Sequence, residues 1–384
     1  MKKSLLLVLL LVALLTGCKD VNNIEESEES KTTEPTEIAT TEAASDYVRT
    51  ASTVKTDSKT GSIITYQQSF QLDTEITISI YDDKETDSKT FDAIFDKIDY
   101  YEKMISKTIE TSEVSQINKN AGVAPVAVSD EIIEMLDIAI GYAEASGGLF
   151  DVTIGPVVEL WGIGTDHAAV PSDVELKDNM AKVNYKNLEI DRENKTVYLK
   201  EKGMLLDLGA IAKGYIADQI KTEMLDSGIK SGIISLGGNI LTIGEKPTGL
   251  AWAIGVRNPE IEESVKELGI LTLKDVSIVS SGVYERYFTA NNQRYHHIIN
   301  PFTGYPEQND IMSITIVSDR SVDGDSLSTT TFLMGLEKGY EYIQSLEGIG
   351  AVITMKDKSV YVTDYLKDTF ILVDDSFTLK EIGQ

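Results

Sequence analysis

From Phe70 onward the apolar residues change rhythm repeatedly, and that change limits the fold more than any single motif. Phe70, Leu72, Thr74, Ile76, Ile78 and Ile80 recur at every second position, as on one face of a half-buried strand. Phe91, Ile94, Phe95, Ile98, Tyr101 and Ile105 follow three-and-four spacing, which predicts an amphipathic helix. Another helix is predicted after Ser129, a good N-cap, with Asp130 and Glu131 in its electropositive first turn. Its apolar face is Ile132, Leu136, Ala139, Ile140 and Ala143, and Gly147-Gly148 should end it. The stretches TVYLK (196–200), MLLDLG (204–209), GIISLGG (232–238) and AWAIGVRN (251–258) read as strands, as do SITIVSD (313–319), GAVITM (350–355) and VYVTD (360–364). Residues 210–225, and a segment from about Asp325 to Leu336, read as helices. Strands joined by tight turns outnumber strand–helix–strand units, so an α+β fold is expected rather than a doubly wound sheet. No boundary stands out after residue 65, so residues 63–384 should form one domain, in one or two lobes.

The chain before that pattern cannot contribute much to a core. Lys2 and Lys3 precede an unbroken apolar run from Leu5 to Leu15, followed by Thr16-Gly17, which reads as a signal peptide over residues 1–17. The run is short for a bilayer span. LLTGC resembles a bacterial lipobox, in which cleavage leaves Cys18 as a lipidated N-terminus; ordinary secretion with an incidental cysteine is the alternative. Residues 18–62 are rich in Glu, Ser and Thr and bury too little surface to offset ordering entropy, so they are expected to be a disordered tether. The predicted location is the extracytoplasmic face of the cell membrane, through a lipid anchor.

Charge and cysteine content exclude several functions. There are 62 acidic against 35 basic residues, for a net charge of -27, which argues against nucleic-acid binding. Cys18 is the only cysteine, so neither an intramolecular disulfide nor a Cys-rich zinc site can form. An anionic ligand would need local neutralisation.

Three clusters have the residue types for that. In DLGAIAKGYIAD (207–218) a strand is expected to run into a helix across Gly209, so unpaired N–H groups and the helix dipole would attract an anion. Lys213 could aim its ammonium at a phosphate, and Gly214 admits a close neighbour. A plain strand-to-helix turn with a solvated lysine explains this stretch equally well. In SDRSVDGDSLSTTTFLMG (318–335), Asp325 and Thr329 are four apart at an expected helix start. That stacks a carboxylate and a hydroxyl on one face, a set that suits Mg²⁺, although capping alone also favours those residues there. In RYHHIINPFTGYP (294–306), His296 and His297 are two of three histidines in the chain. If this piece is extended, only one of the two can enter a given site.

Taken together, GGLFDVTIGPVVELWGIG, DLGAIAKGYIAD, ISLGGNI, SGVYERYF, RYHHIINPFTGYP and DSLSTTTFLMG resemble, in this order, the motifs of the ApbE family of FAD:protein FMN transferases. The resemblance covers the chain from Phe70 to the last strands. It implies an ApbE-like (T-fold-like) fold of mixed sheets with packed helices. It also implies a Mg²⁺-dependent reaction that moves the FMN half of FAD onto a threonine, or occasionally serine, hydroxyl of an acceptor flavoprotein and releases AMP. By motif, Leu72, Thr108, Leu149, Phe150, Asp151, Asp207, Lys213 and Ile299 are the expected FAD contacts. Asp325, Thr329 and the Ala210 carbonyl are the expected metal ligands, and His297 is the expected base. The acceptors implied are flavoprotein subunits or FMN-binding domains of membrane redox complexes. An FAD pyrophosphatase releasing FMN and AMP, or a lipoprotein that only carries FAD, would use the same residues differently.

Several positions depart from that pattern. Asn300 stands where the family usually has Asp, Ser328 where many members have another acid, and Leu72-Asp73-Thr74 where Met-Gly-Thr is frequent. Thr108 occupies a position where an aromatic is expected. These changes bear on the orientation of His297, on metal affinity and on the flavin contacts.

Overall fold

Ten strands lie side by side in the order in which the chain makes them. In the computed structural model, which describes residues 49–58, 61–260 and 266–383, they are Thr53–Thr56, Ile63–Gln71, Thr74–Asp82, Gly232–Leu236 and Asn239–Ile243, then Ser277–Gly282, Ile311–Ser318, Gly350–Met355, Ser359–Val362 and Thr378–Lys380. Every neighbouring pair is antiparallel except the last. Antiparallel neighbours need only short turns, so long excursions can be inserted between them without disturbing the sheet. The longest, between Thr74–Asp82 and Gly232–Leu236, carries six helices and a three-stranded sheet. The fold is α+β, as expected. The predicted signal peptide, Cys18 and most of the predicted tether lie outside the described residues.

The tether boundary at residue 62 is too late. Thr53–Thr56 already pairs with Ile63–Tyr66, and Arg49 is drawn into the fold. Its guanidinium meets Asp96 at 2.9 Å and Asp99 at 2.8 Å, and lies 5.5 Å from the Phe95 ring. Asp99 is 7% exposed; burial raises its carboxyl and the Arg49 charge opposes that rise. Gln71 donates a second hydrogen bond to Asp99.

The period-two run from Phe70 to Ile80 is not one strand. Leu72 and Asp73 have φ of 54° and 56° and form a two-residue hairpin turn, with Gln71 opposite Thr74. That pairing reverses the parity, so Phe70 shares a face with Glu75 and not with Ile76. Phe70 is accordingly 62% exposed, whereas Ile76, Ile78 and Ile80 are at most 2% exposed. The sequence run is continuous because a two-residue turn adds an even number of positions.

Helices Ser88–Ile105, Asp130–Ala145 and Ala212–Asp226 cover one face of the sheet. Phe91, Ile98, Leu136, Ile216 and Ile220 pack there with Ile76, Ile78, Ile234 and Leu241. Ser129 caps the second of these by accepting the Ile132 N–H, and Gly147 and Gly148, at φ 64° and 91°, lead the chain away. The expected strand MLLDLG is absent. Leu205 makes only an isolated bridge to Ile154, and the Asn118 side-chain amide satisfies both the N–H and the carbonyl of Leu206. A side chain from the Glu113–Lys119 helix takes the place of a neighbouring strand.

Two helices begin elsewhere than expected. The first starts at Ala212 rather than residue 210, and the second, Ser321–Met334, starts one turn before Asp325. Asp325 is therefore not at its own helix's N-terminus. Its Oδ2 accepts the Gly214 N–H at 2.6 Å, in the first turn of the Ala212–Asp226 helix. Asp218 on that helix returns the favour, accepting the Ser321 and Val322 N–H groups at 2.7 and 3.0 Å. Each helix thus supplies a carboxylate to the other's unpaired N-terminal amides, which satisfies donors that would otherwise be buried unmade. Gly214 makes the approach possible, because an added Cβ would overlap the Ser321 carbonyl and sit 2.7 Å from Val322 Cα.

Gly214→Ala should therefore destabilise the protein by about 1–3 kcal/mol, because the clash is with backbone that cannot rotate aside. Gly141→Ala is the control, since its Cβ would meet nothing within 4 Å inside the Asp130–Ala145 helix. It should be neutral or gain up to about 1 kcal/mol. Urea unfolding of both variants measures the contrast, and equal midpoints would contradict the close-packed crossing.

Candidate functional site

The turn that opens DLGAIAKGYIAD is held by Asp207. One carboxylate oxygen accepts the Gly209 N–H at 2.9 Å and the other accepts from Lys107 Nζ at 2.7 Å. The Asp207 N–H is fixed to the Val152 carbonyl at 2.8 Å, tying this turn to the GLFDV stretch. Lys107 was not singled out from sequence; a lone lysine in an acidic chain carries no local signal of its partner. Beside this pair is a cavity of about 330 Å³ lined by Lys107, Thr108, Ser115, Asn118 and Lys119. Thr108 is exposed at its edge, and its hydroxyl lies 3.0 Å from the Ser106 hydroxyl.

Around the helix pair, Asp325 is 5% exposed and its second oxygen accepts from Asn239 Nδ2 at 3.2 Å. Asn239 accepts in turn from the Ser321 hydroxyl at 2.7 Å. These contacts leave carboxylate lone pairs unused. Thr329, one helical turn further, is half-buried, and among the described residues nothing hydrogen-bonds its hydroxyl. Ala210 lies in the turn just before Ala212. One carboxylate, one hydroxyl and one carbonyl are hard oxygen donors that suit a water-retaining Mg²⁺. Among the described residues there is no group of three or more His, Cys, Asp or Glu side chains placed to hold a metal ion, so a cation here would rely on hydroxyl, carbonyl and water ligands besides Asp325. Ser328, which stands where another acid is frequent, turns away; its hydroxyl donates to the Asp325 carbonyl and meets the Ser281 hydroxyl at 2.8 Å.

The two histidines divide as the strand geometry requires. His296 is 4% exposed, with Nε2 at 2.7 Å from the Glu307 carbonyl and Nδ1 at 3.3 Å from the Ile298 N–H. Both nitrogens are used, and the residue is structural. His297 faces the other way and keeps part of its surface. Its Nδ1 lies 3.3 Å from the Arg286 carbonyl, which can only accept. The proton therefore belongs on Nδ1, leaving the Nε2 lone pair bare. Desolvation, with His296, Arg286 and Lys213 nearby, lowers the His297 imidazole to about 4, so the ring is neutral at physiological pH.

Lys213 and Arg286 also neighbour Glu285, together with Arg257 and Asp325. Desolvation of the Glu285 carboxyl pushes it up to about 7, reinforced by Asp325 and opposed by the three cations. Among the described residues no ion pair engages Lys213, Arg257 or Arg286, although many lysines elsewhere are paired with acids. Lys213, Arg257 and Arg286 thus all act on Glu285, and Lys213 and Arg286 also act on His297, which gathers positive charge here in a chain of net charge -27. The sequence singles out Lys213 but not Arg257, Glu285 or Arg286, and both arginines are exposed. Their only signal was the basic residues within SGVYERYF and AWAIGVRN.

The remaining predicted contacts are spread around this region. The Leu72 N–H, in the hairpin turn, donates to Glu102 Oε1 at 3.0 Å. Phe150 is 2% exposed and its ring packs in the core rather than facing a ligand. Leu149 is half-buried, and Asp151 accepts the Thr153 and Tyr185 N–H groups at 2.8 and 3.0 Å. Ile299 is 8% exposed and packs in a cluster with Trp161 and Tyr295. Asn300 does not orient His297: its amide donates to Glu307 at 2.7 Å and its carbonyl accepts the Phe302 N–H at 2.9 Å. The Arg286 carbonyl orients the imidazole instead, so the missing aspartate is not needed for that purpose.

Comparison with known proteins gives this geometry a family. The chain is 35% identical over 300 residues to an FAD:protein FMN transferase of Treponema pallidum (strain Nichols), covering 75% of this chain and 83% of that one. It is 34% identical over 284 residues to an FAD:protein FMN transferase of Klebsiella pneumoniae (strain 342), covering 74% and 88%. The crystal structure of the ApbE protein from Thermotoga maritima matches with a TM-score of 0.73 at 30% identity, over 79% of this chain and 97% of that one. The flavin transferase ApbE from Vibrio cholerae matches with a TM-score of 0.72 at 27% identity, over 80% and 99%. With residues 72–353 also matching the ApbE family as a whole, the chain belongs to that family.

Proposed function

We propose that this protein is a Mg²⁺-dependent FAD:protein FMN transferase that moves FMN from FAD onto a threonine or serine hydroxyl of an acceptor flavoprotein. The observation that carries this reading is the neutral His297, with a bare Nε2, near Lys213 and Arg286, neither of which makes an ion pair among the described residues. A hydroxyl is a poor nucleophile at neutral pH and needs a base; a diphosphate needs positive charge. Both requirements meet here.

In this mechanism the acceptor hydroxyl oxygen attacks the flavin-side phosphorus while its proton passes to His297 Nε2. The bond from that phosphorus to the bridging oxygen breaks, and AMP leaves with the bridge. Lys213 and Arg286 hold the diphosphate and offset the charge that builds on its oxygens. Asp325, Thr329 and the Ala210 carbonyl would hold Mg²⁺, which supplies Lewis-acid polarisation of the phosphoryl oxygens when bound. Asp207, braced by Lys107, keeps the preceding turn in the shape that presents the Ala210 carbonyl. The proposed site of action is outside the cytoplasm, with Cys18 lipidated and the acceptor a flavoprotein subunit or FMN-binding domain of a membrane redox complex.

Incubation of the protein with FAD, Mg²⁺ and such a domain should raise the acceptor mass by one FMN, with AMP formed in step. AMP without labelled acceptor would indicate hydrolysis instead, and intact FAD would indicate a carrier. Asp325→Asn is the sharper metal test, because it keeps an oxygen for the Gly214 N–H while removing the charge. It should abolish measurable transfer while the protein still folds, with some loss of stability because the new amide NH2 would face the Asn239 Nδ2 donor; wild-type turnover in this variant would reject the metal assignment. His297→Gln should slow single-turnover transfer by about 10²–10⁴-fold with FAD affinity retained. The sign of the pH dependence follows from the lowered imidazole: the unprotonated ring is the active form and persists down to about pH 4. The acid limb of the rate profile should thus fall near 4 rather than near 6.5, the ordinary histidine value.

A further inference from the structure

We propose that the Phe302 ring is a stacking platform for a flat heteroaromatic ring of the flavin dinucleotide, which makes it a specificity-determining residue of this site. The inference rests on the FAD reading above and deepens it. Phe302 is 61% exposed. A scattered apolar side chain on a surface needs no explanation by itself. This one is held by a rigid turn and stands between two motifs that carry proposed FAD contacts.

The turn is stiff. Asn300 Oδ1 accepts the Phe302 N–H at 2.9 Å, the Asn300 carbonyl accepts the Gly304 N–H at 2.8 Å, and the Asn300 N–H donates to the Tyr305 carbonyl at 2.9 Å. The ring is presented three residues after Ile299, at little further cost in chain entropy on binding. Its tip lies against Gly148, the residue before Leu149; a Cβ there would be 3.4 Å from Phe302 Cζ and 3.6 Å from Tyr185 Cε1. Gly148 has φ 91°, a left-handed conformation that favours glycine, and a Cβ there would rest in ordinary contact with both rings. Asp151 anchors the Tyr185 N–H from the same stretch.

Most other rings nearby are closed off: Phe150 is 2%, Trp161 0% and Tyr295 9% exposed, Tyr185 and Tyr305 are half-buried, and position 108, where an aromatic is expected, is a threonine. Among these rings Phe302 offers the most open face to a dinucleotide that lies along Leu149–Asp151 and Ile299. Adenine and isoalloxazine share the chemistry that such a face selects.

Equilibrium dialysis of the full chain with FAD and Mg²⁺ tests this independently of transfer. Phe302→Ala should raise the Kd for FAD about tenfold, the effect typical of losing one base–aromatic stack. Phe302→Trp should restore binding, and Phe302→Leu should bind as weakly as the alanine variant; rescue by leucine would show that apolar bulk, not a π face, is what matters, and would overturn the proposal. FMN and AMP, dialysed separately, identify the ring: the one whose affinity drops in Phe302→Ala is the one that stacks. Unchanged affinity for FAD, FMN and AMP would also overturn the proposal while leaving the FAD reading intact. Failure of the wild-type chain to bind FAD would remove both.

Discussion

The exchange of carboxylates between two helices is the constraint on which the rest of the molecule depends. Asp218 accepts the first N–H groups of the Ser321–Met334 helix, and Asp325 accepts the Gly214 N–H of the Ala212–Asp226 helix. Breaking either contact would leave a charge and its donors unmatched in a buried crossing, so the two helices are held in one register. Burial pushes the Asp218 carboxyl up to about 6 even though two N–H groups oppose the shift. That register fixes Thr329 and Lys213 with respect to each other, since Thr329 lies one turn after Asp325 and Lys213 is next to Gly214. The candidate metal ligands and the candidate phosphate cation are thus consequences of one packing decision.

Charge explains why such a site can exist on so anionic a chain. Lysines elsewhere are drawn into pairs with surplus acids, for example Lys107 with Asp207 and Lys97 with Glu223. Among the described residues Lys213, Arg257 and Arg286 escape this pairing, although Glu285 lies near all three. His297 stays neutral chiefly because it is desolvated, with His296, Arg286 and Lys213 adding to the effect.

Much of this was legible in the sequence. The α+β class followed from strand runs joined by tight turns, and Ser129, Gly147 and Gly148 marked the ends of a helix where the structure has them. What was not legible has a common cause: local pattern does not report on partners far along the chain. Phe70 kept its alternation through a hairpin that reversed its facing, and MLLDLG looked like a strand whose backbone partner proved to be the Asn118 side chain. Asp325 and Thr329 were found by their spacing, but the function of Asp325 as a cap for another helix could not be read from that spacing. Glu285 and Arg257 gain meaning only from the crossing of chain segments, and Arg49 seemed part of a tether because its acids, Asp96 and Asp99, lie about fifty residues on.

The central claim is that the clasped helices place a cation-binding oxygen set against the diphosphate of FAD. An anomalous difference map from crystals grown with FAD and Mn²⁺, as a heavier stand-in for Mg²⁺, tests it most directly. The account predicts a peak bonded to the Asp325 carboxylate, the Thr329 hydroxyl and the Ala210 carbonyl, with phosphate oxygens completing the shell and His297 Nε2 facing the flavin-side phosphorus. A peak bound by other residues, or a diphosphate seated away from Lys213 with Asp325 still engaged only by Gly214 and Asn239, would contradict it.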